Sequence, residues 1–375
     1  MSTINTTYNS VTDSCCGKTI LAIEKLNSNT EVQKPVGSWL ALTSPLNKGT
    51  FSLQLDPNKG RPSTVDSFRK VYTKDIRPVC DQDTTADSAC ASPSFSGGDN
   101  VASTYVFAQH LIDLSIKREI DLDDEEFENF CINQEQYIMD KLSAFRGGVL
   151  DELNTKVNER LVTYMAAYSD QTAPDNSISD PKSVSFLVPN SAGGFVFDPT
   201  GYAKVKDEYN KLGYSYISPI VVGGSQLSVF QTSSAFLGGT NVNGVTSTSV
   251  PNLFVDYGVD AVMNDGANHL FTWKPGALQV VSANAITDQM IKNSVPNMRE
   301  RMRVTSPFGD GLTWDYYYDV ASNGCERKIK FQLWFDVIQP VPYDDTCAKA
   351  PVLHFDTGCT ANTCPSSGIS GDGGL

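Results

Sequence analysis

The 375-residue chain predicts an α+β fold, and three patterns carry that prediction. Leu312, Trp314, Tyr316, Tyr318 and Val320 alternate with polar residues, Asn323-Gly324 follows, and Ile329, Phe331, Leu333, Phe335 and Val337 alternate again. Period-2 alternation on both sides of an Asn-Gly turn predicts a hairpin with one buried face. Apolar residues recur in steps of three and four at Phe127, Phe130, Cys131, Ile138, Leu142, Phe145, Val149, Leu153, Val157, Leu161, Met165 and Tyr168, which predicts one long amphipathic helix. The stretch "SVSFLVPNSAGGFVFDPTGYAKVKDEYNKLGYSYISPIVVGG" reads strand, turn, helix, strand, an α/β unit.

The first 36 residues are polar and turn-rich around one apolar island, "TILAIEKL", and read as an extended arm. From "GSWLALTSPLNKGTFSLQLDPNKGRPS" onward come short strand candidates separated by proline and glycine. "SFRKVYTKDIRPVC" is a longer strand with basic residues at Arg69, Lys70, Lys74 and Arg77. Residues 81–100, rich in Asp, Ser, Pro and Gly, bury little and predict an exposed tip. Their aspartates lack the spacing of an EF-hand calcium loop. The chain returns through "HLIDLSIKREIDL", where Ile112, Leu114, Ile116, Ile120 and Leu122 alternate. Paired with residues 67–79, this strand predicts a two-stranded finger, too thin to be stable alone and therefore laid on another surface.

Asp123, Asp124, Glu125 and Glu126 then place carboxylates at the positive end of a helix dipole, predicting a helix start there and a rod running to residue 168, about 65 Å at ~1.5 Å per residue. Gly147 and Gly148 predict a bend or fray without loss of phase. In the α/β unit, Asp198 is the expected N-cap and Pro199 the first helical residue, with Tyr202, Val205, Tyr209 and Leu212 as the buried stripe and Gly213 as the stop. "NLFVDYGVDAV" and "HLFTWKPGALQVVSANA" give strands, a Pro-Gly turn and a short helix.

Composition narrows function. A net charge of −14 offers no electrostatic footprint for direct nucleic-acid binding. No apolar run reaches the roughly 18 residues of a membrane helix, and the opening residues lack a basic, then apolar, secretory pattern, so folding in a cytoplasm is expected. Histidine chemistry has three candidates, His110, His269 and His354, each read as a packing or surface residue. Protease, hydrolase, P-loop and dinucleotide motifs are missing, and the glycines of "PIVVGGSQL" read as a plain turn. The nine cysteines are expected as thiols in a reducing compartment. Two groupings stand apart: Cys80 with Cys90 as a disulfide candidate around one loop, and Cys347, His354, Cys359 and Cys364 as a zinc candidate whose spacing lacks the tight pairs of common zinc sites. No catalytic or cofactor-binding residue is assigned; the chain reads as structural, not enzymatic.

Taken in order, "HLIDLSIKREIDLDDEEFENF" resembles the strand-to-spine-helix junction of tailed-bacteriophage major capsid proteins of the Hong Kong 97 type. "VFDPTGYAKVKDEYNKLGYSYISPIVVGG" is similar to their A-domain helix and strand, and "GLTWDYYYDVASNGCERKIKFQLWFDVIQP" to their late P-domain hairpin. The resemblance spans nearly the whole chain and rests on order and texture. It implies an N-terminal arm over 1–45, an E-loop over 46–122 with its tip near 80–100, a P-domain over 123–190 and 300–345 with a spine helix over 123–168, an A-domain over 191–299 and a C-terminal tail over 346–375. It further implies hexamers and pentamers of one icosahedral shell, portal and scaffolding partners, enclosure of double-stranded DNA without sequence-specific binding, and a place in the virion after assembly in the bacterial cytoplasm. No cofactor and no membrane is implied. The alternatives are an encapsulin-like shell protein, a β-rich phage tail or adhesion module, and an enzyme with an unrecognised site.

Overall fold

A computed structural model of the protein describes residues 15–29, 36–47, 52–55, 67–78, 103–122, 133–168, 182–183, 187–189, 195–197, 200–211, 218–231, 252–263, 267–295, 298–320, 327–339 and 352–360. These residues form an α+β fold organised around one long helix and two larger sheets. The tip at 81–100, the acidic run at 123–126, Phe127, Phe130, Cys131, Asp198, Pro199, Leu212, Gly213 and the Asn323-Gly324 turn all lie outside the described residues.

The long helix, Gln134–Tyr168, has 35 residues and extends about 52 Å at ~1.5 Å per residue. It begins later than its carboxylate run suggests. Asn133 caps it, its Oδ1 accepting from Gln136 N at 2.8 Å. Ile138, Leu142, Val149, Leu153, Val157 and Leu161 are buried, as their spacing requires. Helical structure continues through Gly147 and Gly148, because neither residue shifts the apolar phase.

Two N-terminal stretches differ from the sequence expectation. The apolar island belongs to helix α1, Cys15–Ser28, which lies on the long helix. Its buried Cys15, Thr19, Ala22, Ile23 and Leu26 follow helical steps, so the segment is amphipathic and folds onto its own chain. "GSWLALT" is likewise a helix, α2 (Gly37–Thr43), because a fully buried Trp39, with Ala41 and Leu42, anchors it in the core.

The finger also differs. Strand β2 (Lys70–Pro78) pairs antiparallel with β3 (Ser103–Leu111) and with the short β1 (Ser52–Leu55) on its other edge. The alternating 114–121 stretch is a separate strand, β4 (Leu114–Asp121), paired with Arg327–Ile338 (called β14 in chain order). Ile116 and Ile120 point into the main core, and that apolar face is why β4 joins the larger sheet.

The main sheet is built on β13 (Thr313–Val320) and β14, with Tyr318 opposite Ile329 and Tyr316 opposite Phe331. β12 (Arg299–Thr305) lies beyond β13, while β4 and β11 (Gln279–Ala283) share the far edge of β14. Trp314, Tyr316, Tyr318, Ile329, Phe331, Leu333, Phe335 and Val337 are all buried, the pattern expected of the hairpin.

The second sheet runs β5 (Lys182–Ser183), β15 (Val352–Thr360), β10 (Ala267–Trp273), β8 (Ile220–Gly223), β9 (Leu253–Val255). Its strands are buried on both faces: Val222, Phe271, Trp273 and Val352 join the core of the long helix, while Val221, Leu270, Leu353 and Phe355 face a second core. Val205 and Tyr209 of the helix Gly201–Lys211 fill that second core, with Tyr202 packed beside them. Burial on two sides explains the continuous apolar run at 220–222.

Candidate assembly surface

The finger is held at its root. Val71 and Ile112 are buried against Val281, Ala283 and Ile338, and Phe68 meets Trp334 edge-on at 5.9 Å between ring centroids. The Arg69 guanidinium stacks over the same Trp334 at 5.1 Å. Beyond this root, the described contacts of β1, β2 and β3 are chiefly with one another. A thin sheet of this kind presents backbone and both faces to whatever surrounds it.

A charged node ties the root to the long helix. Arg160 donates from Nε to Asp336 Oδ1 and from a terminal nitrogen to Asp336 Oδ2, both at 2.8 Å, and also bonds Asp113. Asp113 sits between β3 and β4, Asp336 on β14 and Arg160 on the helix, so one guanidinium joins the three elements that meet there. Burial pushes the Asp336 carboxyl up to about 6, against the opposing pull of Arg160. For Asp113, partial burial is outweighed by its contacts with Asp336 and Arg160, and its carboxyl lies below the usual range. The two carboxylates thus differ because Asp336 is nearly enclosed while Asp113 is half exposed.

The face of the main sheet turned away from the core is a ladder of charges. Arg299 stands opposite Asp319, Asp319 opposite Lys328 and Lys328 opposite Asp121. The next row runs Arg301, Tyr317, Lys330, Glu119. Lys328 bonds Glu119 at 3.1 Å and Asp121 at 3.2 Å, Arg301 bonds Asp319 at 2.6 Å and its guanidinium lies 5.1 Å from the Tyr317 ring centre. Lys328, with Lys330, holds the Glu119 carboxyl below its usual range. Each exposed pair contributes little alone, and the alternating signs partly offset one another across this face. Exposed positions of the long helix, by contrast, include Asp140, Asp151 and Glu159.

Helix α2 is capped from distant parts of the chain. Val36 at its N-cap supplies no side-chain bond, and the free amides of Ser38 and Trp39 instead meet Asp256 Oδ2 at 2.8 Å and Asn154 Oδ1 at 3.0 Å. Gly37 adopts φ +63, and a Cβ there would lie 2.5 Å from Asp256 Oδ2. Asn47, just beyond α2, is buried and fully engaged. It donates to the carbonyls of Leu42 and Leu278, both at 2.9 Å, and its Oδ1 accepts from Trp273 Nε1 at 3.1 Å and Gly276 N at 3.0 Å.

Of the zinc candidates, His354 and Cys359 lie on β15, while Cys347 and Cys364 lie outside the described residues, as do Cys80 and Cys90. The His354 ring is engaged with His269, Nε2 to Nδ1 at 2.9 Å, and stacks on Phe271. Among the described residues no group of three or more His, Cys, Asp and Glu could hold a metal ion. His110 bonds Thr73 across the finger strands at 3.0 Å. Cys15 is buried beside Tyr316, and its thiol is pushed up to about 11, so it is unreactive. The Gly223-Gly224 turn packs against Asp260: a Cβ on Gly224 would fall 1.8 Å from Asp260 Oδ2, which also accepts from Ser225 N at 3.3 Å.

The node residues Arg160, Asp113 and Asp336 escaped the sequence reading. A signal existed for one of them: Asp336 interrupts the apolar run "LWFDVI", and a carboxylate in a buried strand requires a cation. Which cation satisfies it depends on tertiary packing.

No helix among the described residues is long and apolar enough to cross a membrane. No protein-family model matches the chain, and no curated protein matches it by sequence. Among solved structures, the chain is similar to one of Mycobacterium phage Bobi, at 9% identity and TM-score 0.44, covering 88% of this chain and 93% of that one. It is also similar to a chain of the capsid of Ralstonia phage GP4, at 11% identity and TM-score 0.37 over 77% of this chain and 83% of that one. A third similarity is to the capsid asymmetric unit of Cyanophage A-1(L), at 11% identity and TM-score 0.39 over 72% and 88% of the two chains.

Proposed function

We propose that this chain is a shell-forming structural protein, the major capsid protein of a tailed bacteriophage, which assembles into the icosahedral head around double-stranded DNA. The observation that carries the reading is the finger: a three-stranded sheet rooted at one end on Phe68, Val71 and Ile112, with its remaining described contacts made chiefly within itself. Such a sheet gains stability from surfaces supplied by neighbours, and a ring of identical subunits repeats that contact at every position. The long helix behind a sheet faced with alternating charges gives each subunit a stiff body.

On this reading residues 1–45 are the N-terminal arm and 46–122 the E-loop. Residues 123–190 with 300–345 form the P-domain, 191–299 the A-domain and 346–375 the tail. The architecture is then of the Hong Kong 97 type, assembled in the bacterial cytoplasm as hexamers and pentamers with portal and scaffolding proteins, and the product resides in the virion. The acidic balance of the chain supports enclosure of DNA without sequence-specific binding. Expression with and without the neighbouring genes, followed by negative-stain microscopy, tests it. Closed shells or six- and five-membered rings are expected, and a stable monomer under every condition would overturn it.

A further inference from the structure

One end of the second sheet carries an apolar feature on each of its two edges. The first is a hairpin of β6 (Leu187–Pro189) and β7 (Phe195–Phe197). All six strand residues are apolar, and no residue between Lys182 and Asp198 is charged. The register sets Leu187 opposite Phe197 and Pro189 opposite Phe195 on one face, with Val188 opposite Val196 on the other. Among the described residues the contacts of this hairpin are chiefly within itself. Two short strands are marginal in water, so the hairpin needs a surface to lie on.

The second feature is an exposed patch. Val36 is 53% exposed, Leu40 41%, Val229 42% and Tyr257 62%. Bonds and contacts join the four. Leu40 N donates to Val36 O one helical turn away, and Gly37 lies against Asp256, the neighbour of Tyr257. Tyr257 Oη donates to Ser228 Oγ at 3.0 Å, beside Val229. Single exposed apolar residues are ordinary, but a connected group of them marks a contact surface.

Their placement indicates what covers each. β5, β15, β8 and β9 all run in one direction, so the chain leaves β5 toward the hairpin at the same end of the sheet where β9 leads into Tyr257. β5 and β9 are the two opposite edges, four strand spacings or about 19 Å apart at ~4.8 Å each. The helix Gly201–Lys211, which follows the hairpin, packs on one face of the sheet, whereas α2 packs beside β9 and the long helix on the other. A contact between different surfaces on opposite edges is head-to-tail, and a rotation that closes repeats it around a ring.

We infer that the hairpin at residues 187–197 of one subunit docks on the patch of Val36, Leu40, Val229 and Tyr257 on a second copy of this chain. The inference rests on the shell-subunit reading and assigns a ring contact to the second sheet. Neither the hairpin nor the four patch residues carry charge, so the removal of apolar area from water drives the contact.

Glutamate on the patch separates the contact from the fold, because Leu40 and Val229 are exposed and glutamate suits a helix. In Leu40→Glu and Val229→Glu the unassembled subunit is expected to keep the wild-type melting curve and circular dichroism yet lose sedimenting shells. For a direct readout that does not depend on those variants, a benzophenone photocross-linker at position 229 is irradiated in particles assembled from mixed ¹⁴N and ¹⁵N chains. Mixed-isotope links to the tryptic peptide spanning residues 183–204 are expected. Same-isotope links alone, mixed links only to other segments, or patch variants that assemble like wild type would overturn the inference and leave the shell reading standing. Wild-type chain that never assembles would overturn both.

Discussion

Asp256 Oδ2 accepts the backbone amide of Ser38 at 2.8 Å, across 218 residues of sequence. Through that bond, the end of β9 caps a helix of the N-terminal segment, while Oδ1 holds the turn at Gly258 N at 2.9 Å. Asn158 of the long helix donates to the same carboxylate at 3.3 Å, so three parts of the chain share one acceptor. In Asp256→Ala the buried amide of Ser38 and the half-buried amide of Gly258 lose their acceptor, and a loss of about 3 kcal/mol is expected. Urea unfolding measures it; a change below about 1 kcal/mol would mean that water substitutes for the carboxylate.

Asn47 gives a sharper version of the same logic. Its amide nitrogen donates to two carbonyls and its oxygen accepts from two N–H groups. Asn47→Asp preserves shape but sets carboxylate oxygen against the Leu42 and Leu278 carbonyls. A loss of about 3–5 kcal/mol at neutral pH is expected, shrinking in acid where the new carboxyl is neutral. An unchanged denaturation midpoint in urea at pH 7 would contradict the bond assignment.

The Asp336 carboxyl, raised by burial to about 6, makes stability depend on pH with a definite sign. Between its unfolded value near ~3.9 and about 6, the folded state keeps a proton that the unfolded state has released. This group therefore favours folding most below that window, and its contribution falls as pH rises through it. Asp113, shifted the other way, contributes above its ordinary value and loses that contribution in acid. Asp336→Asn removes the first effect and also one of the contacts that lower the Asp113 carboxyl, whose own window lies in more acid solution. Relative to wild type, the variant is expected to gain stability from pH 4.5 to pH 7.5; a difference that does not vary with pH would refute the assignment.

Gly148 lies on the exposed side of the long helix, and a Cβ there meets nothing within 4 Å. Gly148→Ala is expected to raise stability by about 1 kcal/mol through helix propensity. A destabilised variant would show that the helix needs freedom at this point.

The hairpin, the helix phase and the α/β unit were legible because burial on one face writes its period into the sequence. Trp314 to Val337 shows this at period two, Ile138 to Leu161 at steps of three and four. What escaped depends on partners distant in sequence. α2 is too short to declare its period, and its N-terminus is capped by Asp256 and Asn154, which no local pattern announces. The finger's return strand was displaced because β4 carries the stronger alternation, yet that alternation serves the main core, and the less patterned 103–111 stretch completes the finger. Arg160 looks like any surface charge until Asp336 and Asp113 converge on it.

Sedimentation velocity of the purified chain, co-expressed with its neighbouring genes, tests the shell-subunit account most directly. Fast-sedimenting closed particles, with rings of six and five as intermediates, are the expected result. A single slow boundary at the monomer mass of 40.8 kDa under all conditions would contradict it.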